Sequence, residues 1–121
     1  MNFDANAPIY LQVVDAIKLE IINGRLEAGE KLPSGRDLAL HYTINPNTAA
    51  RVYQELERQE ICFTRRGMGT FVTEDKERIA LCKSQMAEEA LSKFMISLKD
   101  LGITKEEAID MINEANDICL V

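Results

Sequence analysis

Two short helical patterns separated by a tight, capped turn limit the folds open to this chain more than any other feature. Ser34 is a good helix N-cap, and Asp37 three residues later approaches the capping-box pattern. The helix that Ser34 opens ends near Tyr42. Asn45 then caps a second helix, with Pro46 at its first position, where the missing N–H costs nothing. Two helices joined by so short a turn predict a helix-turn-helix.

The second helix of this pair spans residues 46–59 and has one apolar face. The residues of that face recur at i, i+3, i+4 and i+7, namely Ala49, Val52, Tyr53 and Leu56. An earlier helix follows Pro8 and carries a similar stripe formed by Ile9, Val13, Ala16, Ile17 and Ile21. Asn23-Gly24 ends that helix, because glycine readily adopts the left-handed conformation at a helix C-terminus.

After Gln59 the hydrophobic period changes from helical to β. Residues 61–65 and 70–73 are β-prone, and the glycine-containing segment 66–69 lies between them. The stretch 61–73 therefore predicts a β-hairpin with a basic tip, the wing of a winged helix. From the pattern alone, an ordinary hairpin turn with solvated arginines stays an alternative.

The chain is helical again from Asp75, and its apolar positions follow two further stripes. The residues of these stripes that we expect at a dimer interface are Ile79, Cys82, Met86, Ala90, Phe94, Leu98, Ile109 and Ile112. Gly102 separates the two helices, and Thr104 with Glu107 forms a capping box for the second. Two such helices cannot bury both stripes against each other, so a second copy is expected to cover them. The apolar finish at 118–121 either packs into that dimer or marks a shortened chain.

These elements define a mainly α fold class with a small β-hairpin. We expect a winged helix-turn-helix domain over 1–74 and a two-helix dimerisation tail over 75–121. The formal net charge of −6 is uneven: residues 1–73 carry 8 Lys and Arg against 9 Asp and Glu, a net −1, and the remainder carries −5. Charge therefore permits nucleic-acid binding by the first part without establishing it.

Other bulk features indicate a cytoplasmic protein. No apolar run is long enough to span a bilayer, and the N-terminus lacks the pattern of a signal peptide. The three cysteines are widely spaced and predict reduced thiols rather than a disulfide framework. His41 is the only histidine, so no His-based metal site is expected, and no cofactor is indicated.

Several short motifs within residues 8–73 form a specific combination. They are Pro8-Ile9-Tyr10, Gly29-x-Lys31-Leu32-Pro33-Ser34-x-Arg36-x-Leu38-Ala39, Asn45-Pro46-Asn47-Thr48, Glu55-Leu56-Glu57 and Arg65-Arg66-Gly67-x-Gly69-Thr70-Phe71-Val72. Together with the order of elements they resemble the GntR family of bacterial regulators, and the short tail resembles its YtrA-like subfamily. The resemblance implies a homodimeric, sequence-specific DNA-binding regulator that represses transcription from a pseudo-palindromic operator.

This chain departs from the family pattern at four positions. Gly35 stands where an acidic residue is usual, and Glu60 where a helix-ending glycine is usual. Pro46 and Ala50 occupy places where many relatives carry base-reading arginines. The operator sequence of better-known relatives therefore does not transfer to this chain.

The candidate DNA-binding residues lie in three places. Asn47, Thr48 and Arg51 are the base-reading candidates in helix 46–59, because Asn pairs with adenine and Arg with guanine in the major groove. The helix that begins after Ser34 offers free N–H groups beside Arg36 and predicts a phosphate contact. The full set of candidates is Ser34, Arg36, Asn45, Asn47, Thr48, Arg51, Gln54, Arg65, Arg66, Gly67, Gly69 and Thr70. From spacing alone, a solvated polar face is an equally good interpretation of the helix 46–59 residues.

Two other functions, a protein-interaction module and an enzyme, are alternatives to DNA binding. A winged helix used only for protein interaction would tolerate neutralisation of Arg36, Arg51, Arg65 and Arg66. An enzyme would need a nucleophile, an acid–base pair or a metal set, and the sequence offers none. The expected partners are double-stranded DNA and a second copy of the chain, with no membrane partner, and the sequence identifies no small-molecule effector.

Overall fold

The computed structural model describes residues 3–115. In chain order its elements are α1 (Ile9–Ile22), α2 (Gly35–Tyr42), α3 (Pro46–Arg58), β1 (Cys62–Arg65), β2 (Gly69–Val72), α4 (Lys76–Asp100) and α5 (Lys105–Glu114). The predicted fold class, mainly α with one hairpin, is confirmed. The apolar finish at 118–121 lies outside the described residues.

The turn between α2 and α3 has the capping groups that the sequence predicts. The Ser34 hydroxyl accepts a hydrogen bond from the Asp37 N–H at 3.1 Å. The Asn45 side-chain oxygen accepts one from the Asn47 N–H at 2.8 Å, with Pro46 at the start of α3. Both bonds satisfy N–H groups that a helix leaves without partners in its first turn. The helix-turn-helix follows from these local interactions.

The contacts group the chain into two compact units, residues 1–83 and 84–121, which divide within α4. We call the first the winged unit and the second the tail unit. The domain limits of 1–74 and 75–121 stay a prediction. The core of the winged unit contains side chains from α1, α3 and the hairpin, of which Val13, Ala49, Val52, Leu56 and Val72 are fully buried.

The hairpin pairs β1 with β2 in antiparallel register, with Phe63 opposite Phe71. A third segment extends this pairing. This segment belongs to the linker between α1 and α2 (residues 26–33), whose Lys31 forms an isolated bridge with Phe71. The Leu32 N–H donates to the Thr70 carbonyl at 2.8 Å. The free edge of β2 has N–H and C=O groups that need partners, and the linker backbone supplies them.

The backbone conformation of Glu60 explains why glycine is usual at this position in relatives. Its φ is +61°, in the left-handed region where a side chain is strained. The residue lies immediately after α3, where the chain reverses into the hairpin. The Glu60 carboxylate forms an ion pair with Arg78. This chain therefore has, at a left-handed position, a residue that suits that conformation less well than glycine.

The tail unit contains the end of α4 and all of α5. Gly102 has a φ of +75°, and Thr104 and Glu107 form the predicted capping box. Leu98 and Ala108 are buried. Most other large apolar side chains of the unit are exposed, among them Leu91, Phe94, Ile96, Leu101, Ile109, Met111 and Ile112. Within residues 3–115, no helix combines the length and apolar character needed to cross a membrane.

Candidate nucleic-acid interface

The N-terminus of α2 and the base of the wing share a hollow of about 460 Å³. Ser34 lines it from the helix side, and Gly69 and Thr70 line it from β2. Three candidates from different parts of the sequence are thus brought together. Lys31 also lines the hollow and adds a cation that sequence reasoning did not select. A helix N-terminus, hydroxyl groups and an ammonium group together suit a phosphate oxygen.

The polar face of α3 is directed away from the core. Asn47, Arg51 and Gln54 are exposed, and Thr48 is half-buried. Asn45 differs from these, because its side-chain oxygen already accepts the capping hydrogen bond from the Asn47 N–H. The amide NH₂ of Asn45 and the second lone pair of its oxygen are left for another partner. The base-reading candidates are therefore Asn47, Thr48 and Arg51, as the sequence predicts, with Gln54 one turn further along.

Arg51 is held by an aromatic ring from another helix. Its guanidinium carbon lies 3.9 Å from the centroid of the Tyr10 ring, at the start of α1. This is cation–π geometry, which contributes ~0.5–1 kcal/mol at an exposed site. A long arginine side chain otherwise loses much rotamer freedom when it binds. The Tyr10 ring reduces that loss by restricting Arg51 before DNA arrives.

The wing carries a second arginine supported by rings. Phe63 and Phe71 are stacked, with centroids 5.7 Å apart and planes 20° from parallel. The Arg65 guanidinium carbon lies 5.4 Å from the Phe63 centroid and 5.8 Å from the Phe71 centroid. The aromatic pair of the hairpin therefore lies within cation–π distance of the Arg65 guanidinium, and the Arg65 side chain is exposed.

The wing turn itself uses two glycines for different reasons. Gly67 has a φ of +75°, which the turn requires. Gly69 has a φ of +115°, and a Cβ there would come within 2.9 Å of Lys31 Cε. Lys31 thus lies directly against the wing. Arg66 and Arg36 are exposed, and neither lines the hollow. Each adds an exposed positive charge to the winged unit.

Three titratable groups near α3 have shifted pKa values with structural causes. Arg58 donates two hydrogen bonds from Nε to the Glu55 carboxylate, at 2.9 and 3.0 Å, and this lowers the pKa of Glu55. Burial raises the pKa of the Cys62 thiol to about 12. Burial also raises the pKa of Tyr53, whose hydroxyl donates to the Pro33 carbonyl at 2.5 Å. These groups support the helix pair and show no sign of catalytic activation.

Tyr10 and Lys31 are the residues that sequence reasoning missed. Tyr10 lies at the start of α1 and was quoted only as part of a motif, but its half-buried ring lies beneath Arg51. Lys31 was quoted only as part of a motif. Their positions within the matched motifs were the available signal. Which cation or ring each one meets depends on tertiary contacts that no local pattern encodes.

A helix-turn-helix with an exposed polar second helix and a basic wing defines a winged-helix DNA-binding protein. Comparison with known proteins identifies its family. The family described as "Bacterial regulatory proteins, gntR family" matches residues 9–72. The chain belongs to the GntR family and is a DNA-binding transcriptional regulator. The family is not one of enzymes.

Individual relatives agree with this assignment over almost the whole chain. The HTH-type transcriptional regulator YhcF of Bacillus subtilis is 43% identical over 111 residues, which cover 92% of this chain and 92% of YhcF. The HTH-type transcriptional repressor YtrA of the same organism is 36% identical, covering 91% of this chain and 85% of YtrA. A GntR family transcriptional regulator from Listeria monocytogenes has a TM-score of 0.86 at 42% identity, covering 94% of this chain and all of that one. The predicted resemblance to the YtrA-like subfamily is confirmed.

Proposed function

We propose that this protein is a homodimeric repressor that binds a pseudo-palindromic operator. In this proposal α3 enters the major groove, and the wing contacts the minor groove or the adjacent backbone. The observation that carries the proposal is the Arg51–Tyr10 contact. It holds a base-reading side chain in place at the first turns of a helix whose opposite face is buried.

The direct readout is assigned to the N-terminal half of α3. The first turn of a recognition helix commonly meets base edges. Arg51 suits the O6 and N7 acceptors of guanine, and Asn47 suits adenine, each for ~1–3 kcal/mol of discrimination. Gln54, one turn after Ala50, is the next polar group along the same face. Thr48 is suited to a base or a phosphate contact.

Backbone contacts are assigned to the hollow and the wing. Ser34, Lys31 and Thr70 surround a space that fits a phosphate oxygen. Arg36 adds charge beside that space, and Arg65 and Arg66 supply charge along the wing. An arginine in the minor groove responds to groove width and A·T content more than to exact sequence. These contacts therefore position the protein without selecting individual bases.

Dimerisation is supported by the apolar surface of the tail unit. Phe94, Ile109 and Ile112 are each 40–47% exposed in the single chain. Several large apolar side chains at this exposure on one small unit are unfavourable in water and are typical of a surface that a partner covers. A two-fold dimer would place two recognition helices ~34 Å apart, one turn of the duplex, which suits a pseudo-palindromic site. Of the residues predicted from the sequence, Ala90, Phe94, Ile109 and Ile112 are exposed and are proposed to face the partner, whereas Cys82 and Leu98 are buried within the single chain.

Repression is supported by one relative. YtrA of Bacillus subtilis is named a transcriptional repressor and matches most of this chain. A DNA-binding dimer of this kind represses most simply by occupying its site and excluding polymerase. We also propose that the protein acts in the cytoplasm, because that is where a bacterial regulator of this family meets DNA.

The experiment that tests the proposal is a fluorescence-anisotropy titration of the full chain. The probe is a duplex from the region upstream of its own coding sequence, with random-sequence duplex as competitor, at two salt concentrations. We expect one dimer per site and weaker binding as salt rises, because bound phosphates release counterions. Arg51→Ala should lose ~1–3 kcal/mol of preference for the specific site. Arg65→Ala should weaken all duplexes alike and reduce the salt slope by ~1.

Arg25→Ala is the matched control, because it removes an exposed arginine that lies in neither α3 nor the wing. It should leave both affinity and preference unchanged. Loss of binding by Arg25→Ala equal to that of Arg51→Ala would contradict the assignment of α3. If the wild type binds no duplex even at low salt, the proposal is wrong and a protein-interaction module becomes the better account.

A further inference from the structure

A second cavity lies within the winged unit between α1, the linker (residues 26–33) and α2. It adjoins the hollow at the N-terminus of α2. Its volume is about 520 Å³. The apolar part of its lining consists of Ile17, Leu26, Leu32 and Leu38. Ile17, Leu32 and Leu38 are each less than 5% exposed, so this part of the wall belongs to the folded core. A preformed cavity with an apolar wall is the usual form of a small-molecule site.

The polar part of the lining is negatively charged. Glu20 of α1 and Asp37 of α2 both line the cavity. In the described part of the chain the ion pairs are Arg58–Glu55 and Arg78–Glu60, so neither carboxylate has a protein cation as partner. The ring of His41 and the phenols of Tyr42 and Tyr53 complete the polar edge.

The raised pKa values of two tyrosines indicate a negative electrostatic potential inside the cavity. Burial raises the pKa of Tyr42, and the Glu20 carboxylate raises it further. The pKa of Tyr53 is raised mainly by burial, then by Cys62 and Tyr42, and also by Asp37. Both phenols are therefore neutral and line the cavity. Carboxylates and aromatic faces together favour a cation.

We propose that this cavity binds a small organic cation with an apolar body, and that the bound cation strengthens DNA binding. The effect on DNA rests on the proposed function, whereas the cation site itself does not. The apolar wall would cover the body of the ligand, and Glu20 and Asp37 would neutralise its charge. The cavity thereby serves as an effector site within the DNA-binding unit itself.

The coupling to DNA follows from walls that the two cavities share. Leu32, Pro33, Asp37 and Tyr53 line both the effector cavity and the hollow assigned to phosphate. Asp37 repels a phosphate in the neighbouring hollow, and a cation bound on its other side offsets that repulsion. By linkage, DNA and the cation must then raise each other's affinity by the same factor. The hydrogen bond from Tyr53 to Pro33 keeps the shared wall in one arrangement.

The test uses tetraphenylphosphonium and tetraphenylborate, two ions of the same shape and opposite charge. Calorimetric titration of the full chain should show one tetraphenylphosphonium bound per protomer and no comparable binding of tetraphenylborate. Glu20→Gln should weaken tetraphenylphosphonium binding about tenfold, which corresponds to about 1.4 kcal/mol. Glu77→Gln, which makes the same change at an exposed position outside the cavity, should bind like the wild type.

The effect on DNA is measured with the same upstream duplex, with and without tetraphenylphosphonium. We expect the cation to raise wild-type affinity by at least about threefold, and Glu20→Gln to lose that increase while binding DNA normally without the cation. Equal binding of both ions, or unchanged binding by Glu20→Gln, would overturn the cation site even if DNA binds as proposed. Cation binding that leaves DNA affinity unchanged or lowers it would overturn the effector role. Absence of DNA binding with intact cation binding would refute the proposed function and the effector role but not the site.

Discussion

In the winged unit, Val13, Ala49, Val52 and Leu56 have at most a trace of exposed surface, and the buried set draws on α1, α2, α3 and the hairpin. In the tail unit, Leu98 and Ala108 are buried, while Phe94, Leu101 and Ile112 are 40% exposed or more. Both units come from segments with similar helical stripes. The stripes of the first face one another within one chain. Those of the second are only partly covered by their own chain.

This difference separates two kinds of stability. The winged unit draws its stability from contacts that are present at any protein concentration. The stability of the tail unit should depend on a partner, because burying its exposed apolar side chains needs a second surface. A regulator that binds two half-sites benefits from this arrangement. Its DNA-binding unit folds without a partner, and dimerisation sets the distance between the two recognition helices.

The largest expected effect concerns the core of the winged unit. Leu56→Ala removes a side chain that is fully buried, and we expect it to lower the free energy of unfolding by about 3 kcal/mol through lost burial and a residual cavity. Guanidinium denaturation followed by circular dichroism measures this change. Leu40→Ala removes the same atoms from a side chain on α2 that is 73% exposed, and its effect should stay below about 0.5 kcal/mol. Similar losses for the two variants would contradict a closed core.

The second-largest expected effect concerns dimerisation through the exposed apolar side chains of the tail unit. Phe94→Ala should raise the dimer dissociation constant about 30-fold, or about 2 kcal/mol, because the partner then covers less apolar surface. Sedimentation equilibrium at several concentrations measures it. Ser92→Ala, at an exposed polar position nearby on α4, is the control and should dimerise normally. A wild type that is monomeric at all concentrations, or a Phe94→Ala variant that dimerises normally, would show that the exposed face has another role.

The features that were predictable from the sequence are those encoded within a few residues. The caps at Ser34, Asn45 and Thr104 were predicted with the atoms that form them, because an N-cap and its partner lie two or three residues apart. The helical stripes and the glycine turn of the wing are equally local. In contrast, the strand pairing of Lys31 depends on a segment far along the chain. The free edge of β2 requires a partner, but no pattern specifies which segment provides it.

The same reasoning explains the limits of the site prediction. Arg51 and Arg65 were selected by residue type and position, and both are exposed as expected for DNA contacts. The rings that hold them were not identified as partners, since Tyr10 is on another helix and Phe71 on the opposite strand. The charge of the effector cavity also arises from two helices. Residue types predict what a site can bind, whereas tertiary contacts determine how firmly its groups are held.

The third prediction concerns how the winged unit holds its own binding surface. Tyr10→Leu removes the ring beneath Arg51, and we expect specific DNA binding to weaken about fivefold, close to the ~1 kcal/mol of an exposed cation–π contact. Tyr10→Phe keeps the ring face and should bind like the wild type. In an Arg51→Ala background, Tyr10→Leu should have no further effect, and anisotropy titrations of the four proteins give the coupling energy. Equal, additive losses in both backgrounds would mean that Tyr10 acts by packing and not through Arg51.

The smallest expected effect concerns backbone strain at the end of α3. Glu60→Gly should raise the free energy of unfolding by about 0.5 kcal/mol, because relief of the left-handed strain outweighs the added freedom of the unfolded chain. The variant also loses the ion pair with Arg78, but exposed pairs contribute little. Arg78→Gln measures that loss alone. Glu57→Gly, within α3, provides the opposite case and should destabilise by about 1 kcal/mol, since helical φ gives glycine no advantage.

Thermal and guanidinium denaturation of these three variants should therefore give opposite signs for the two glycine substitutions. Destabilisation by Glu60→Gly beyond that of Arg78→Gln would mean that the Glu60 side chain has a contact more important than its backbone strain. The expected gain instead places this residue among positions where the chain departs from its family at a cost in stability. Because Glu60 lies in the winged unit, the gain should be independent of protein concentration, unlike the loss expected for Phe94→Ala.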